Sequence, residues 1–203
     1  MNKEEVKRAI IDAGQQAYSC GLVSAAGGNI SMRMGDRFFI TATNAPLRNL
    51  MPEDIVEIDA DGKPVGDSCG RTPSKEAVLH LAVFKKRPDI DSIIHVHPVY
   101  SISCTIASPN DFPIHTVSAI NKIGSVGYVP FAQAGSRELV DFTNEALDKC
   151  GEEVKTLLME KHGIIVFDKG MNKCYERTEL VEETAKIGIY SLLMKAAKKL
   201  LEE

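Results

Sequence analysis

The sequence predicts an α/β fold in which helices and strands share a single domain spanning residues 1–203. Stretches with apolar residues at helical spacing alternate along the chain with short extended apolar runs. No internal repeat, low-complexity tract or long linker divides the 203 residues. Because helices and strands of one domain pack as layers, these observations predict a layered protein. Strand directions do not follow from the pattern, so the expected sheet is mixed.

The N-terminal half is expected to contain two helices and two strands. Apolar residues recur at helical spacing in the first segment, and Gly21 ends that helix. Turn residues follow the second strand. Ser74 is expected to cap the second helix, and Pro88 to end it. The predicted ranges are a helix over 3–20, strands over 37–43 and 54–59, and a helix over 75–87.

The C-terminal half continues the alternation of strands and helices. An apolar run over 91–97 predicts a strand, and Pro98 opens the helix that follows it. Ser136 is expected to cap a helix that extends to about residue 149. The other predicted elements are a strand near 125–130, two short strands within 156–170 around a turn at 161–163, and one long or broken helix over 172–202.

The composition excludes several classes of function. A hydrophobic content of 44% with 26% charged residues is typical of a folded globular protein. The net charge of −4 leaves no basic surface for nucleic acid. No apolar stretch reaches the ~18 residues that cross a bilayer, and the charged start is unlike a signal peptide. The five cysteines lack a C-x-x-C spacing, which predicts free thiols in a cytoplasmic protein.

Two histidines stand two positions apart in the apolar run "SIIHVHPVY". Side chains at i and i+2 of a strand leave the same face, so His95 and His97 are expected to point together. Two such imidazoles can chelate a divalent metal ion. The alternative is a pair of polar residues at an exposed strand end, bonded to carboxylates or water. The apolar surroundings weaken that alternative, because buried imidazoles without partners are costly.

Further candidates for the chemistry lie in two other segments. His162 precedes Gly163 between two apolar runs, and as a third ligand it would leave an open position, as catalytic zinc sites do. A turn histidine with an ordinary hydrogen bond is the alternative. Glu76 is the best acid–base candidate, although a carboxylate there also stabilises a helix N-terminus. His80, one turn later, is interpreted as a supporting or structural residue.

Three loop segments suit the binding of an anion. The stretch over 24–33 is small and glycine-rich, with Gly27 and Gly28 allowing close approach of the backbone. The stretches over 41–47 and 72–75 add hydroxyl, amide and ammonium groups, and Ser74 is expected at a helix start. Each segment alone is a common loop sequence. The candidate anion-binding residues are Asn29, Thr43, Asn44, Ser74 and Lys75.

In combination, "GGNIS", "TPSKE", the H-x-H about 20 residues on, "KHG" and the closing helix resemble the class II aldolase/adducin family. The resemblance runs from about residue 5 to about residue 195. It implies a three-layer α/β/α fold and a homotetramer with sites between neighbouring subunits. It also implies a divalent metal, usually zinc with manganese or cobalt as alternatives, held by His95, His97 and His162. Glu76 matches the family's proton-transfer base, and the five anion-binding candidates match its phosphate pocket.

Two positions depart from the pattern of the family's aldolases. Lys75 stands where the aldolases commonly have serine, and a lysine there is similar to the branch of 3-oxo-tetronate 4-phosphate decarboxylases. Thr116 follows an I-H dipeptide where the fuculose-phosphate aldolases place a catalytic tyrosine. A threonine hydroxyl is too weak an acid to replace a phenol of pKa about 10. Tyr128, Tyr175 and Tyr190 are the candidate substitutes.

The leading hypothesis is a metal-dependent lyase that cleaves a small phosphorylated ketose through a metal-stabilised enediolate. The first alternative is a decarboxylase of the 3-oxo-tetronate 4-phosphate type, which acts on a phosphorylated sugar acid. A sugar-phosphate 4-epimerase is a weaker alternative, because the epimerases usually carry Asp at the position of Glu76. The remaining alternative is a non-catalytic assembly module like the adducin head, which the three candidate metal ligands disfavour.

Overall fold

Across residues 1–108 and 110–202, which are the described part of the chain, a computed structural model shows seven strands in one sheet and six α-helices. The strands are β1 (Asn29–Met34), β2 (Arg37–Thr41), β3 (Ile55–Ile58), β4 (Ser92–Val96), β5 (Gly127–Val129), β6 (Thr156–Met159) and β7 (Gly163–Asp168). The helices are α1 (Lys3–Ser19), α2 (Ala77–Lys86), α3 (Val99–Ala107), α4 (Val117–Lys122), α5 (Arg137–Lys149) and α6 (Met171–Glu202). The predicted α/β class is confirmed.

The strands lie in the order β3-β2-β1-β4-β7-β6-β5. β5 pairs with β6 in parallel, and the other neighbouring strands pair antiparallel, so the sheet is mixed as expected. β4 lies in the middle of the sheet, with Asn29 of β1 opposite His95 on one side and Ile165 of β7 opposite it on the other. The H-x-H segment therefore occupies the centre of the fold, where both neighbouring strands hold it in place.

Helices cover both faces of the sheet, which gives the three layers that the resemblance implied. On one face, residues of α1, α4 and α6 share one hydrophobic core with Ile94 and Val96 of β4. On the other face, α2 and α5 pack around Ile93. This alternation follows from the two-residue period of a strand and places His95 on the α2 side of the sheet. Among the described residues, every helix is too short or too polar to cross a lipid bilayer.

One strand and one α-helix were not predicted. The stretch over 24–33 was interpreted only as an anion-binding loop, but its second half forms the interior strand β1. Asn29 and Ser31 break the apolar pattern of this strand, because they are buried polar residues whose partners are Glu76, the N-cap of α2, and His80 on that helix. The second unexpected element is the short helix α4, which follows Thr116. Its six residues are too few to show a helical period.

The start of α2 corrects the expected role of Ser74. The helix begins at Ala77 with Glu76 as its N-cap residue, so Ser74 does not cap it. Ser74 N–H instead donates to Thr41 O at 3.0 Å, which holds the chain extended beside the end of β2. Ser136, by contrast, caps α5 as predicted, since its Oγ accepts from Leu139 N–H at 3.1 Å.

Arg87 ties the end of α2 to the loop before β6. Only 6% of its surface is exposed, and its guanidinium donates to Val154 O and Glu152 O at 2.6 Å each. Removing a buried charged donor leaves its acceptors without hydrogen bonds, which lowers the stability of the fold. We expect Arg87→Met to lower the free energy of unfolding by about 3 kcal/mol, measured by urea denaturation. Arg8→Met, which removes an exposed pair with Asp12, is the matched control and should cost under ~1 kcal/mol.

Candidate metal centre

Three histidines meet at the carboxyl end of β4. His95 lies on that strand, His97 directly follows it, and His162 lies in the turn between β6 and β7. One ring nitrogen of each lies within 4.8 Å of those of the other two. His97 Nε2 is 3.0 Å from His95 Nε2. The antiparallel pairing of Val96 with Ile164 brings the distant His162 beside the H-x-H segment.

The hydrogen bond of His95 to the backbone determines which nitrogen faces the centre. His95 Nδ1 lies 2.9 Å from Ile164 O, and a carbonyl only accepts, so Nδ1 carries the proton. The lone pair of a neutral His95 is therefore on Nε2, which faces His97. Burial lowers the pKa of His95 to about 4 and also lowers the pKa values of His97 and His162. Neutral imidazoles are the form that ligates a metal ion.

Glu76 extends the centre with a buried carboxylate. Its Oε2 is 3.3 Å from His95 Nε2 and accepts a hydrogen bond from Asn29 Nδ2 at 2.8 Å. Its Oε1 is 3.6 Å from His162 Nε2. Burial raises the pKa of Glu76, but the neighbouring His95 and the Asn29 hydrogen bond outweigh burial, so the pKa is lowered overall. Glu76 is therefore a carboxylate at neutral pH.

The donor atoms fit a divalent cation. Glu76 Oε1 is buried and has no hydrogen-bond partner among the described residues. Glu76 Oε2 also lies close to the lone pair of His95 Nε2, so two hydrogen-bond acceptors face each other. A cation bound between them would remove this unfavourable contact. Nitrogen and carboxylate oxygen ligands suit zinc and related divalent ions. The three histidines could therefore hold such an ion, with Glu76 beside it.

A second pair of contacts joins β1 to α2 behind the centre. Asn29 and Ser31 leave the same face of β1, and Glu76 and His80 lie one turn apart. Asn29 bonds to Glu76, and Ser31 Oγ lies 2.6 Å from His80 Nδ1. Burial lowers the pKa of His80 to about 3, so this ring is neutral. His80 thus supports the position of α2, in agreement with the interpretation from the sequence.

Two of the three predicted anion-binding segments lie side by side. Thr43 N–H donates to Thr72 O at 2.9 Å, which aligns the 41–44 and 72–75 segments. Ser74 Oγ accepts from the backbone N–H of Glu76 at 3.3 Å, so the 72–75 segment leads directly into the residue that carries the carboxylate. Asn44 and Lys75 are exposed. The Lys75 ammonium has no ion pair or hydrogen bond within the described part of the chain. Asn29 differs from the other candidates, because its amide already donates to Glu76.

Thr116 and the candidate tyrosines have other partners. Thr116 Oγ1 accepts from Ala119 N–H at 3.1 Å and caps α4. Tyr128 lies beside Glu160, and burial together with that carboxylate raises its pKa to about 12. Tyr175 OH donates to Cys20 Sγ at 3.2 Å, and Tyr190 OH lies 3.2 Å from Tyr100 OH. These contacts involve none of the three histidines.

Sequence reasoning missed Thr105 as a support for the His162 turn. Lys161 has a positive φ of 57°, which is unusual for a residue with a side chain. Its N–H donates to Thr105 Oγ1 of α3 at 3.2 Å. Thr105 is fully buried, so this hydrogen bond is protected from water. No local signal in the sequence marks the contact, because the two residues lie in different elements.

The fold and the site define an α/β protein with a candidate divalent-metal centre on its central sheet. The chain belongs to the class II aldolase and adducin family: the model of the Class II Aldolase and Adducin N-terminal domain matches residues 8–189. This match confirms the resemblance seen in the sequence.

Relatives and a solved structure agree with this assignment. The chain is 32% identical to the L-fuculose phosphate aldolase of Methanocaldococcus jannaschii over 93% of this chain and 98% of that protein. It is 31% identical to the 3-oxo-tetronate 4-phosphate decarboxylase of Haemophilus influenzae over 89% of this chain and 85% of that protein. The crystal structure of L-fuculose-1-phosphate aldolase from Thermus thermophilus matches the fold with a TM-score of 0.81, 23% identity, and coverage of 95% of this chain and 96% of that one.

The named relatives are lyases that act on carbon–carbon bonds. The expectation that the chain is an enzyme of this class is thereby confirmed. Both an aldolase and a decarboxylase are found at similar identity, so identity alone does not separate the two reactions.

Proposed function

We propose that this protein is a divalent-metal-dependent lyase that cleaves a carbon–carbon bond of a small phosphorylated ketose. The observation that carries the proposal is the convergence of His95, His97 and His162 within 4.8 Å of one another. The proposed ion is zinc, with manganese or cobalt as alternatives, because imidazole nitrogens suit these metals. The carboxylate of Glu76 beside the histidines supports an enzyme over an assembly module.

In the proposed mechanism, the metal centre carries out the chemistry and the neighbouring loops bind the substrate. The three histidines would hold the metal ion, which would supply Lewis-acid stabilisation of the charge that develops on substrate oxygens. Glu76 moves a proton to or from the adjacent substrate carbon. Its Oε1 is available for this step, since Asn29 bonds to Oε2. The hydrogen bond from Asn29 thus orients the carboxylate while leaving one oxygen for the proton.

The substrate phosphate is proposed to bind at the paired loops. Hydroxyls, amides and the Lys75 ammonium, which has no ion pair among the described residues, lie on these loops, and a phosphate prefers such donors. These groups fix the substrate's position relative to Glu76, so they contribute through orientation. The proposed phosphate-binding residues are Asn29, Thr43, Asn44, Ser74 and Lys75.

The second candidate is decarboxylation of a phosphorylated oxo-acid. Lys75 favours it, because its exposed ammonium, which forms no ion pair within the described ranges, can neutralise part of the additional negative charge of an acid substrate. Thr116 also favours it, since its hydroxyl caps α4 and the fuculose-phosphate aldolases' tyrosine is missing at that position. Aldol cleavage and decarboxylation both leave negative charge on the same substrate oxygens, so the same metal centre can support either reaction.

The same proposal includes a cytoplasmic homotetramer of single-domain chains. Free cysteines among the described residues are in keeping with a reducing compartment. Exposed apolar side chains on the last turns of α6 offer a surface for self-association, among them Leu192, Leu193 and Met194 at 66%, 58% and 73% exposure. Sedimentation velocity should give the mass of four chains, and a monomer would contradict this part of the proposal.

The proposed function is tested by an NMR time course on phosphorylated ketoses and 3-oxo-tetronate 4-phosphate, with zinc and with a chelator. We expect chelator-sensitive release of dihydroxyacetone phosphate and an aldehyde from a ketose phosphate. Decarboxylation of the oxo-acid with the sugars unchanged would support the second candidate instead. Turnover that a chelator does not affect would contradict both. His115→Ala, an exposed histidine outside the centre, is the matched control and should keep wild-type turnover.

A further inference from the structure

Three glycines lie against the H-x-H segment. A Cβ placed on Gly27 would lie 2.8 Å from His97 Nδ1 and 3.4 Å from His97 Cε1. A Cβ on Gly163 would lie 2.9 Å from His97 Cδ2. The imidazole of His97 therefore lies in a slot between two stretches of backbone that approach it from opposite sides. Side-chain carbons do not normally come this close to other heavy atoms, so only glycine fits at positions 27 and 163 without a shift of the ring.

Gly28 makes the corresponding contact with the backbone of β4. A Cβ at this position would lie 2.8 Å from His95 O, and the residue has a φ of +78°. Both the close approach and the left-handed backbone require glycine. The two adjacent glycines of the 24–29 loop thus lie against both residues of the H-x-H pair.

We propose that Gly27 is a positioning residue for His97, in addition to any part its loop plays in holding phosphate. This inference rests on the proposed function, because it takes His97 as a metal ligand. The two walls of the slot restrict the ring at its Nδ1 and Cδ2 edges. The Nε2 edge is left facing His95 Nε2 at 3.0 Å. A ligand held in this orientation before the ion arrives loses less rotamer freedom on binding.

A methyl group at position 27 would act directly on this ring. Gly27 has a backbone conformation that other residues can adopt, and two of the three atoms nearest to the added methyl belong to the His97 ring, the third being Ser24 O at 3.1 Å. The ring is the more mobile neighbour, so it moves from its slot and Nε2 turns away from the centre. The expected defect is therefore weaker metal binding, whereas a role in phosphate binding alone would leave metal affinity unchanged.

The test compares Gly27→Ala with wild type by cobalt titration against a competing chelator and by the visible spectrum of the cobalt-loaded protein. We expect cobalt affinity to fall about 10- to 100-fold, as for changes that disturb the support of a ligand. We also expect a changed cobalt spectrum. Gly151→Ala is the matched control, because the three atoms nearest to its methyl belong to the flexible Glu153 carboxylate, and it should bind cobalt as wild type does.

Each outcome decides a different question. Wild-type affinity and spectrum in Gly27→Ala would overturn this inference while leaving the proposed function intact. Absence of cobalt binding by the wild-type protein would overturn both. If Gly27→Ala is poorly folded, the metal-free unfolding free energies of Gly27→Ala, His97→Ala and the double variant give the answer. We expect His97→Ala to restore stability to Gly27→Ala, and additive effects would overturn the inference.

Discussion

His95→Ala is expected to lower zinc affinity by more than about 100-fold, since it removes a ligand rather than only a supporting contact. The fold should survive, because the lost ring leaves a polar centre and not an apolar core contact. Turnover in the NMR assay should fall with the bound metal. Zinc content after dialysis, measured by elemental analysis, checks the prediction, and circular dichroism checks the fold.

The control for this variant is His115→Ala, which removes an exposed histidine from outside the centre. It should retain the zinc content of the wild-type protein. His97→Ala and His162→Ala should resemble His95→Ala, because the ring nitrogens of all three lie within 4.8 Å of one another. Normal zinc content and turnover in any one of them would remove that histidine from the proposed ligand set.

Glu76→Gln is expected to keep the metal and lose turnover. The amide has nearly the shape of the carboxylate but cannot accept the proton, so kcat should fall by about 10²- to 10⁴-fold. The three histidines remain, so zinc content should stay near one ion per chain. Steady-state kinetics together with elemental analysis measure both effects on the same preparation.

Glu53→Gln is the matched control, because Glu53 is an exposed carboxylate in the turn before β3. It should show wild-type turnover and zinc content. A Glu76→Gln variant with wild-type kcat would show that another group moves the proton. Loss of zinc from Glu76→Gln would instead indicate that the carboxylate is needed to hold the ion.

Most elements with a strong local pattern were predicted correctly. The helix expected over 3–20 is Lys3–Ser19, and the strand expected over 91–97 is Ser92–Val96. Both have a regular apolar period or a clear terminal residue, and such signals act over a few residues. The pair of strands around the 161–163 turn was predicted for the same reason.

The elements that failed prediction depend on partners elsewhere in the chain. β1 contains buried Asn29 and Ser31, and only the side chains of α2 make those positions tolerable inside the protein. The extended segment around Ser74 is held by Thr41 O, a contact that no local pattern indicates. Its residues would otherwise suit a helix start, which is why the sequence placed that start too early.

The sequence by itself determined the α/β class, the shared face of His95 and His97, and the family, because residue type and spacing act locally. Only the tertiary structure decided that His162 and Glu76 reach these histidines, since the pairing of β4 with β7 and the packing of α2 join distant segments. It also decided that Gly27 lies next to the His97 ring, with no room for a side chain between them. Contacts of this kind depend on strand register and close packing, which are properties of the whole fold.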